Sequence, residues 1–197
     1  MEEWEKAEKG MWYDANNCPD LIEKRDRAEA LYHRFNEVFT KDSEEAEKVL
    51  CELLPHKGKN VELHAPFLCD YGYNIVIGDD SFINRDCYLM DCAKISIGKH
   101  CYIGPKCGFY TASHPVIAEE RNSGLEKAAP VTIKDNCWLG AGVMVMPGVT
   151  IGEGCVIGAG SIVTKDIPDR TIAMGSPCRV VRKITEADSI YNEKEED

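Results

Sequence analysis

The sequence predicts an all-β fold, a parallel β-helix of hexapeptide repeats with an N-terminal α-helical cap. Three observations predict it. Apolar residues recur at every sixth position over residues 77–95, 97–109 and 133–163. A compact side chain follows most of them four positions later, and a glycine often follows immediately. The first 58 residues instead have a charged, helix-like sequence, which suits a cap on one end of the coil.

The last of these stretches is the most regular part of the pattern. Its spacing is held without error by Ile133, Leu139, Val145, Ile151, Ile157 and Val163. A six-residue period fits a coil in which each hexad is a short strand plus a corner and three hexads complete one turn. The apolar residue points inward and stacks on its equivalent in the next coil, about 4.8 Å away. We expect the following glycine to relieve a crowded corner by adopting a positive φ.

The chain divides into three predicted parts. Residues 1–58 form the helical cap, with one helix opening at Cys18-Pro19 and a second capped by Asp42 and Glu45. Residues 59–184 form the β-helix, interrupted by a protruding loop at residues 113–130 where the period breaks. Residues 185–197 are an acidic C-terminal tail.

Composition excludes several classes of function. The net charge is −11, which argues against a broad nucleic-acid surface. No apolar run approaches the roughly 18 residues of a membrane span, and the charged N-terminus is unlike a secretory signal, so we expect a cytoplasmic protein. Ten cysteines occur without any CxxC pair, and the histidines are not clustered, so we expect free thiols and no metal site.

His114 is the candidate general base. It lies where the hexad period stops, at the root of a loop too long for a tight solenoid without a function. Histidine has the side-chain pKa best suited to proton transfer near neutral pH. Asn84 occupies a repeat position that is usually glycine, which fits either a catalytic role or a corner asparagine with positive φ.

Several segments resemble the maltose and galactoside O-acetyltransferases over about residues 5–185. They are Gly10–Ala15, Arg25–Arg27, Asp70–Ile75, Phe82–Asn84, Thr111–Pro115, Arg121–Gly124 and Thr164–Pro168, the first two resembling the maltose branch in particular. The resemblance implies a left-handed β-helix, a homotrimer and acetyl-CoA as donor. It also implies acetylation of a hydroxyl of a small sugar of the maltose, glucose or galactoside type. His114 would then be the base for direct attack on the thioester, and Asn84 would hold the hydroxyl.

The resemblance further implies residues for each substrate. The acceptor side consists of Tyr13, Asp14, Arg25, Asp70, Asp91 and Glu126, and carboxylates suit this task because each accepts hydrogen bonds from two hydroxyls. The donor side consists of Trp138, Ala141, Ala159, Gly160, Thr164, Lys165, Arg179 and Arg182. The basic residues there would hold phosphates, and a backbone N–H near Ala141 would stabilise the oxyanion.

Three other functions remain open. The acceptor could be a different hydroxyl or an amine, as in an antibiotic or serine. A zinc enzyme of the γ carbonic anhydrase type would need a close histidine pair, which this sequence lacks. A non-catalytic trimeric scaffold would not need His114 or Asn84. Trimerisation itself is predicted by apolar residues between the inward positions, namely Val76, Tyr88, Tyr102, Met144 and Met146.

Overall fold

The helical cap contains three helices in the computed structural model, which describes residues 1–192. They are α1 (Glu3–Glu8), α2 (Pro19–Val38) and α3 (Ser43–Leu53). Pro19 occupies the first turn of α2, and the Asp42 carboxylate accepts the N–H of Glu45 at 3.0 Å to cap α3. The starts of α2 and α3 agree with the sequence prediction, whereas α1 was not predicted.

The strands form three parallel faces that coil about six times. The first face contains β1 (His56–Lys57), β4 (Ile75–Ile77), β7 (Ile95–Ile97), β12 (Val131–Ile133) and β15 (Thr150–Ile151). The second face contains β2 (Glu62–Leu63), β5 (Phe82–Ile83), β8 (Tyr102–Ile103), β13 (Trp138–Leu139), β16 (Val156–Ile157), β18 (Thr171–Met174) and the antiparallel β19 (Arg179–Lys183). The third face contains β3 (Phe67–Cys69), β6 (Cys87–Met90), β9 (Gly108–Tyr110), β14 (Met144–Val145) and β17 (Ile162–Val163).

The interior of the coil is filled by the residues that the six-residue period predicts. Every inward position from Ile77 to Val163 named by the pattern is buried, as are the compact residues four positions later. Phe35, Leu50 and Leu53 of the cap extend the same apolar core beyond the first coil. The fold class predicted from the sequence is therefore confirmed: a parallel β-helix with a helical cap and a protruding loop.

The glycines beside the inward residues serve a different purpose from the one predicted. Positive φ occurs two residues later, for example at Lys106 and Gly142, and not at these glycines. A Cβ on Gly104 would lie 2.8 Å from the Ala141 nitrogen of the next coil. Glycine is therefore needed there for the close approach of successive coils. Asn84 has no positive φ either, so the corner-asparagine interpretation is wrong.

Two excursions leave the coil. The first is the protruding loop, which holds β10 (Ala112–Ser113), helix α4 (Ala118–Arg121) and β11 (Lys127–Ala128), with β10 and β11 antiparallel. The second follows β19 and contains two short 3₁₀ helices, Glu186–Asp188 and Ile190–Asn192. Residues 193–197, the end of the predicted acidic tail, lie outside the described residues. Within residues 1–192, no helix combines the length and apolar character needed to cross a membrane.

Candidate active site

His114 is held at the root of the protruding loop by a hydrogen bond that defines its tautomer. Its Nδ1 lies 2.9 Å from the carbonyl oxygen of Leu125. Since a carbonyl oxygen only accepts, Nδ1 carries the proton and donates it. The neutral ring therefore keeps its lone pair on Nε2. The side chain is exposed, so Nε2 is accessible to a reacting hydroxyl.

The N-terminal segment clamps the part of the loop that positions His114. Tyr13 and Glu126 exchange both backbone hydrogen bonds, at 2.9 and 3.0 Å. The Tyr13 hydroxyl also donates to the Glu126 carboxylate. Burial raises the pKa of the Tyr13 hydroxyl well above its ordinary value, so it remains a donor at neutral pH. Glu126 is adjacent to Leu125, and the clamp therefore fixes the carbonyl that orients His114.

Asp70 and Arg25, two of the predicted acceptor-side residues, lie together. They line a cavity of about 260 Å³ with Tyr32 and Tyr88. The Tyr88 hydroxyl donates to one oxygen of Asp70, and the Cys92 thiol lies 3.2 Å from the other. A carboxylate oxygen has two lone pairs, so Asp70 can still accept from a bound hydroxyl. The cavity is thus lined by the polar groups of Asp70 and Tyr88 and by the cationic side chain of Arg25.

Asp14, by contrast, is engaged in its own turn. Its carboxylate accepts the backbone N–H groups of Asn16 at 2.9 Å and Asn17 at 3.1 Å, and the Asn17 side-chain amide at 2.8 Å. These hydrogen bonds, with the Asn17 amide first, hold the pKa of Asp14 below its ordinary value. Asp14 therefore shapes the entry to α2.

Asp91 has no exposed surface and Tyr13 only 1%, whereas the acceptor-side candidates Asp14, Arg25, Asp70 and Glu126 are partly exposed. One of its oxygens accepts the N–H groups of Asp70 at 3.0 Å and Tyr71 at 2.8 Å, and the other accepts the N–H of Asn74 at 3.3 Å. In this arrangement Asp91 does not reach an acceptor directly. It supports the turn at residues 70–74, which presents Asp70.

Burial raises the pKa of Asp91 to about 7 from its ordinary value of 3.8, although its three N–H donors oppose the shift. The unfolded chain thus loses this proton at lower pH than the folded protein. We expect the stability of the wild type relative to Asp91→Asn to fall by a few kcal/mol between about pH 4 and pH 7, at about 1.4 kcal/mol per pKa unit. Urea unfolding of both proteins across this range measures it, with the exposed Asp26→Asn as control. A constant difference across pH would contradict it.

Three of the donor-side candidates, Ala141, Ala159 and Gly160, lie at another corner of the coil, between the second and third faces, together with the catalytic candidate Asn84. Asn84, Ala141 and Ala159 follow β5, β13 and β16, and the Gly160 N–H donates to the Ala141 carbonyl at 2.8 Å. The Asn84 amide oxygen accepts the N–H of Arg85 at 2.8 Å. Within residues 1–192, no protein acceptor pairs with the Ala141 N–H. That N–H is thus free to donate to a ligand oxygen.

The predicted phosphate-binding residues are exposed near the last coil. Thr164 and Lys165 follow β17, and Arg179 begins β19. Arg182 already pairs with Asp188 through two hydrogen bonds of 2.8 and 2.5 Å. Its guanidinium is therefore less available to a phosphate than the sequence predicted. Trp138, with an exposed fraction of 56%, forms an apolar wall on the second face.

The two catalytic candidates lie at opposite ends of the third face. Asn84 precedes β6, whereas His114 follows β9, the neighbour of β6 in the sheet. An extended strand advances about 3.3 Å per residue, so crossing this face takes roughly 15 Å. A single chain therefore does not bring Asn84 and His114 together. Among residues 1–192, no group of three or more His, Cys, Asp or Glu residues could hold a metal ion.

Two residues that contact Asp70 were not predicted for the site: Cys92 was not singled out, and Tyr88 was predicted only as a contact between chains. Tyr88 lies in the outward position between inward Cys87 and Leu89, and Cys92 directly follows the buried Asp91. Their positions in the repeat could have indicated that both belong to the site. When predicted site residues lie at a corner of the coil, the outward-facing residues of the strand before that corner are also candidates for the site.

The chain matches two family models and closely related proteins. The model described as bacterial transferase hexapeptide (six repeats) covers residues 130–165, and the maltose acetyltransferase hexapeptide capping motif covers residues 6–58. A Saccharomyces cerevisiae protein named as a candidate acetyltransferase is 46% identical over 180 residues, covering 91% of this chain and 92% of that protein.

Solved structures agree with these matches. A maltose O-acetyltransferase from Clostridium difficile 630 is 45% identical with a TM-score of 0.91, covering 94% of this chain and 99% of that one. A galactoside acetyltransferase in complex with coenzyme A is 37% identical with a TM-score of 0.94, covering 99% and 97%. The chain therefore belongs to the maltose/galactoside O-acetyltransferase family of hexapeptide-repeat acyltransferases.

Proposed function

We propose that this protein transfers the acetyl group of acetyl-CoA to a hydroxyl of a small sugar, with His114 as general base. The observation that carries the proposal is the hydrogen bond from His114 Nδ1 to Leu125, because it leaves Nε2 as the basic nitrogen. Related structures support the donor: a galactoside acetyltransferase contains coenzyme A, and a Vibrio cholerae acetyltransferase contains acetyl-CoA.

The reaction follows from these groups. Nε2 of His114 accepts the proton of the acceptor hydroxyl while its oxygen attacks the thioester carbonyl carbon. The N–H of Ala141 donates to the oxyanion of the tetrahedral intermediate. When the intermediate collapses, the carbon–sulfur bond breaks and the leaving thiolate takes the proton from the imidazolium. The Leu125 carbonyl stabilises that cation through the proton on Nδ1.

The acceptor side favours a polyhydroxylated ligand. Arg25, Asp70 and Glu126 supply charged donors and acceptors, and Tyr88 supplies a hydroxyl. A sugar hydroxyl can both donate to a carboxylate and accept from a guanidinium, so several adjacent hydroxyls would satisfy this set.

The acceptor class is tested by measuring thiol release from acetyl-CoA. We expect turnover with maltose, glucose or a galactoside to exceed turnover with serine or with hydroxyl- and amine-bearing antibiotics. Faster turnover with serine or an antibiotic would contradict the sugar proposal and indicate that compound as the acceptor. The scaffold alternative predicts no turnover above the rate without enzyme for every compound tested.

The predicted donor-side residues can be tested through the KM for acetyl-CoA. Replacing Lys165 and Arg179 by alanine should raise the KM for acetyl-CoA by about tenfold for each phosphate interaction removed, with little change in kcat. Arg182→Ala should add less, because Asp188 already pairs with Arg182. Steady-state kinetics measure these changes, with the exposed Arg27→Ala in the cap as matched control. An unchanged KM in the double variant would contradict the placement.

We further propose that the enzyme acts as a homotrimer. The outward sides of the second and third faces carry apolar residues, including Tyr102 at 59% and Met144 at 39% exposure. The first face instead presents mostly polar residues at comparable positions, namely Ser96, Thr132 and Thr150, beside Val76, which the sequence analysis had counted among the apolar contact residues. Packing the two apolar faces against neighbouring chains closes a ring at three copies. It would also allow His114 of one chain to meet Asn84 of the next.

A further inference from the structure

A second hydrophobic cluster lies outside the coil, between the cap and the residue 70–74 turn. Ala7, Tyr13, Leu21 and Tyr71 form its buried part, with Trp4 and Tyr73 packed against it. This cluster surrounds a cavity of about 500 Å³. Pockets for small ligands have volumes of about 300–1,000 Å³, so the cavity is large enough for one.

This cavity is separate from the acceptor side. His114, Asp14, Arg25, Asp70 and Glu126 do not line it, and Tyr13 is the one predicted acceptor-side residue that does. The Tyr13 ring and the Cys92 side chain lie between the two regions, because both also contact acceptor-side carboxylates. A ligand in the cavity therefore would not occupy the proposed acceptor position.

The walls and the rim of the cavity differ in chemistry. The walls contain the rings of Trp4, Tyr13, Tyr71 and Tyr73, which favour a flat apolar ligand. The rim carries Lys9, Lys24 and Lys94 against one carboxylate, Glu8, which gives three positive charges and one negative. This local excess of two positive charges occurs in a chain of net charge −11.

Lys24 joins the two features. Its Nζ lies 5.3 Å from the ring centroid of Tyr73 and 5.9 Å from that of Trp4. Such cation–π interactions hold the ammonium group over the aromatic walls. Among residues 1–192, none of the three rim lysines lies within 4.0 Å of a carboxylate oxygen. Their charges therefore remain available to an anion.

We propose that this cavity is a second ligand site, for a small planar aromatic molecule that carries an anionic group such as a carboxylate. The ring inserts between the aromatic walls, and the anionic group contacts Lys24 at the rim. Such a ligand would bridge α1, α2 and the residue 70–74 turn. Its binding would therefore raise the melting temperature of the protein.

The test uses 2-naphthoate as probe and neutral 2-naphthamide as its matched analogue, in titration calorimetry on the intact protein. We expect saturable binding of naphthoate with Kd below about 1 mM and binding of the amide at least about tenfold weaker. Lys24→Met should weaken naphthoate binding about tenfold. Lys48→Met, an exposed lysine of α3, should leave it unchanged.

A second variant fills the space instead of removing the charge. Ala93→Phe places a ring in the cavity wall and should abolish binding while acetyl transfer continues. Equal binding of naphthoate and naphthamide, or naphthoate binding that survives both Lys24→Met and Ala93→Phe, would overturn the proposal. So would the absence of saturable binding in the wild type. Circular dichroism of each variant shows whether it is folded.

Discussion

Replacing His114 by alanine should lower turnover by about 10²–10⁴-fold, the usual contribution of a general base. The loss should fall on kcat, with little change in the affinity for acetyl-CoA, because His114 acts on the acceptor proton. The hydrogen bond to Leu125 explains the size of the effect. It holds the ring in one tautomer with Nε2 free, and water that replaces the side chain has no such orientation.

Two variants distinguish base catalysis from a structural role. His114→Gln can keep a hydrogen bond to the Leu125 carbonyl but has no basic nitrogen, so it should be as inactive as the alanine variant. His33→Ala removes an exposed histidine of α2 and should retain full activity. Turnover of His114→Gln near the wild-type rate would exclude His114 as the base, since only the loop geometry would then matter.

The coil could be predicted from the sequence because each repeat position has one physical requirement. Inward residues such as Ile133 and Leu139 must be apolar, and residues such as Cys137 must fit a narrow corner. At Gly104 the repeat pattern predicts a glycine but not its cause. A positive φ or the close approach of the next coil could each require it, and the structure shows the close approach. Handedness is similar: parallel crossovers are right-handed in about 98% of cases, so only the resemblance indicates the left-handed coil.

The cap was harder to predict where it is held by tertiary interactions. Helix α1 has only six residues and too few for a visible apolar stripe. The Glu3 carboxylate accepts the N–H of Asp14 at 2.7 Å, and Ala7 packs on the second cluster. Both interactions depend on how the chain returns to the coil. Local sequence therefore did not indicate this helix.

At the site, the sequence indicated residue types better than their environments. The predicted loop position of His114 agrees with its place beside Leu125. The burial of Asp91 follows from its position at the end of β6, where the chain turns inward to receive three backbone N–H groups. The pairing of Arg182 with Asp188 joins β19 to the tail that follows it. Such pairings depend on chain paths that spacing alone does not define.

The last prediction tests whether two chains build each site. His114→Ala and Asn84→Ala should each be nearly inactive alone, but trimers assembled from equal amounts of both should recover activity. Suppose that each active site lies between two chains, with His114 from one chain and Asn84 from the next. Such a site is intact when an Asn84→Ala chain supplies the histidine and a His114→Ala chain supplies the asparagine. Each of these two conditions holds for half of the chains, so about a quarter of the sites between chains should be intact. The mixture should therefore recover about a quarter of the wild-type turnover.

The experiment mixes the unfolded variants, refolds them together and measures thiol release, with each variant refolded alone as control. Sedimentation of the mixture should report a mass near three chains. The separation of Asn84 and His114 across the third face is the physical reason for expecting recovery. Recovery no greater than the sum of the two separate variants, in a mixture shown to contain mixed trimers, would mean that both residues act within one chain or that Asn84 does not act at the site.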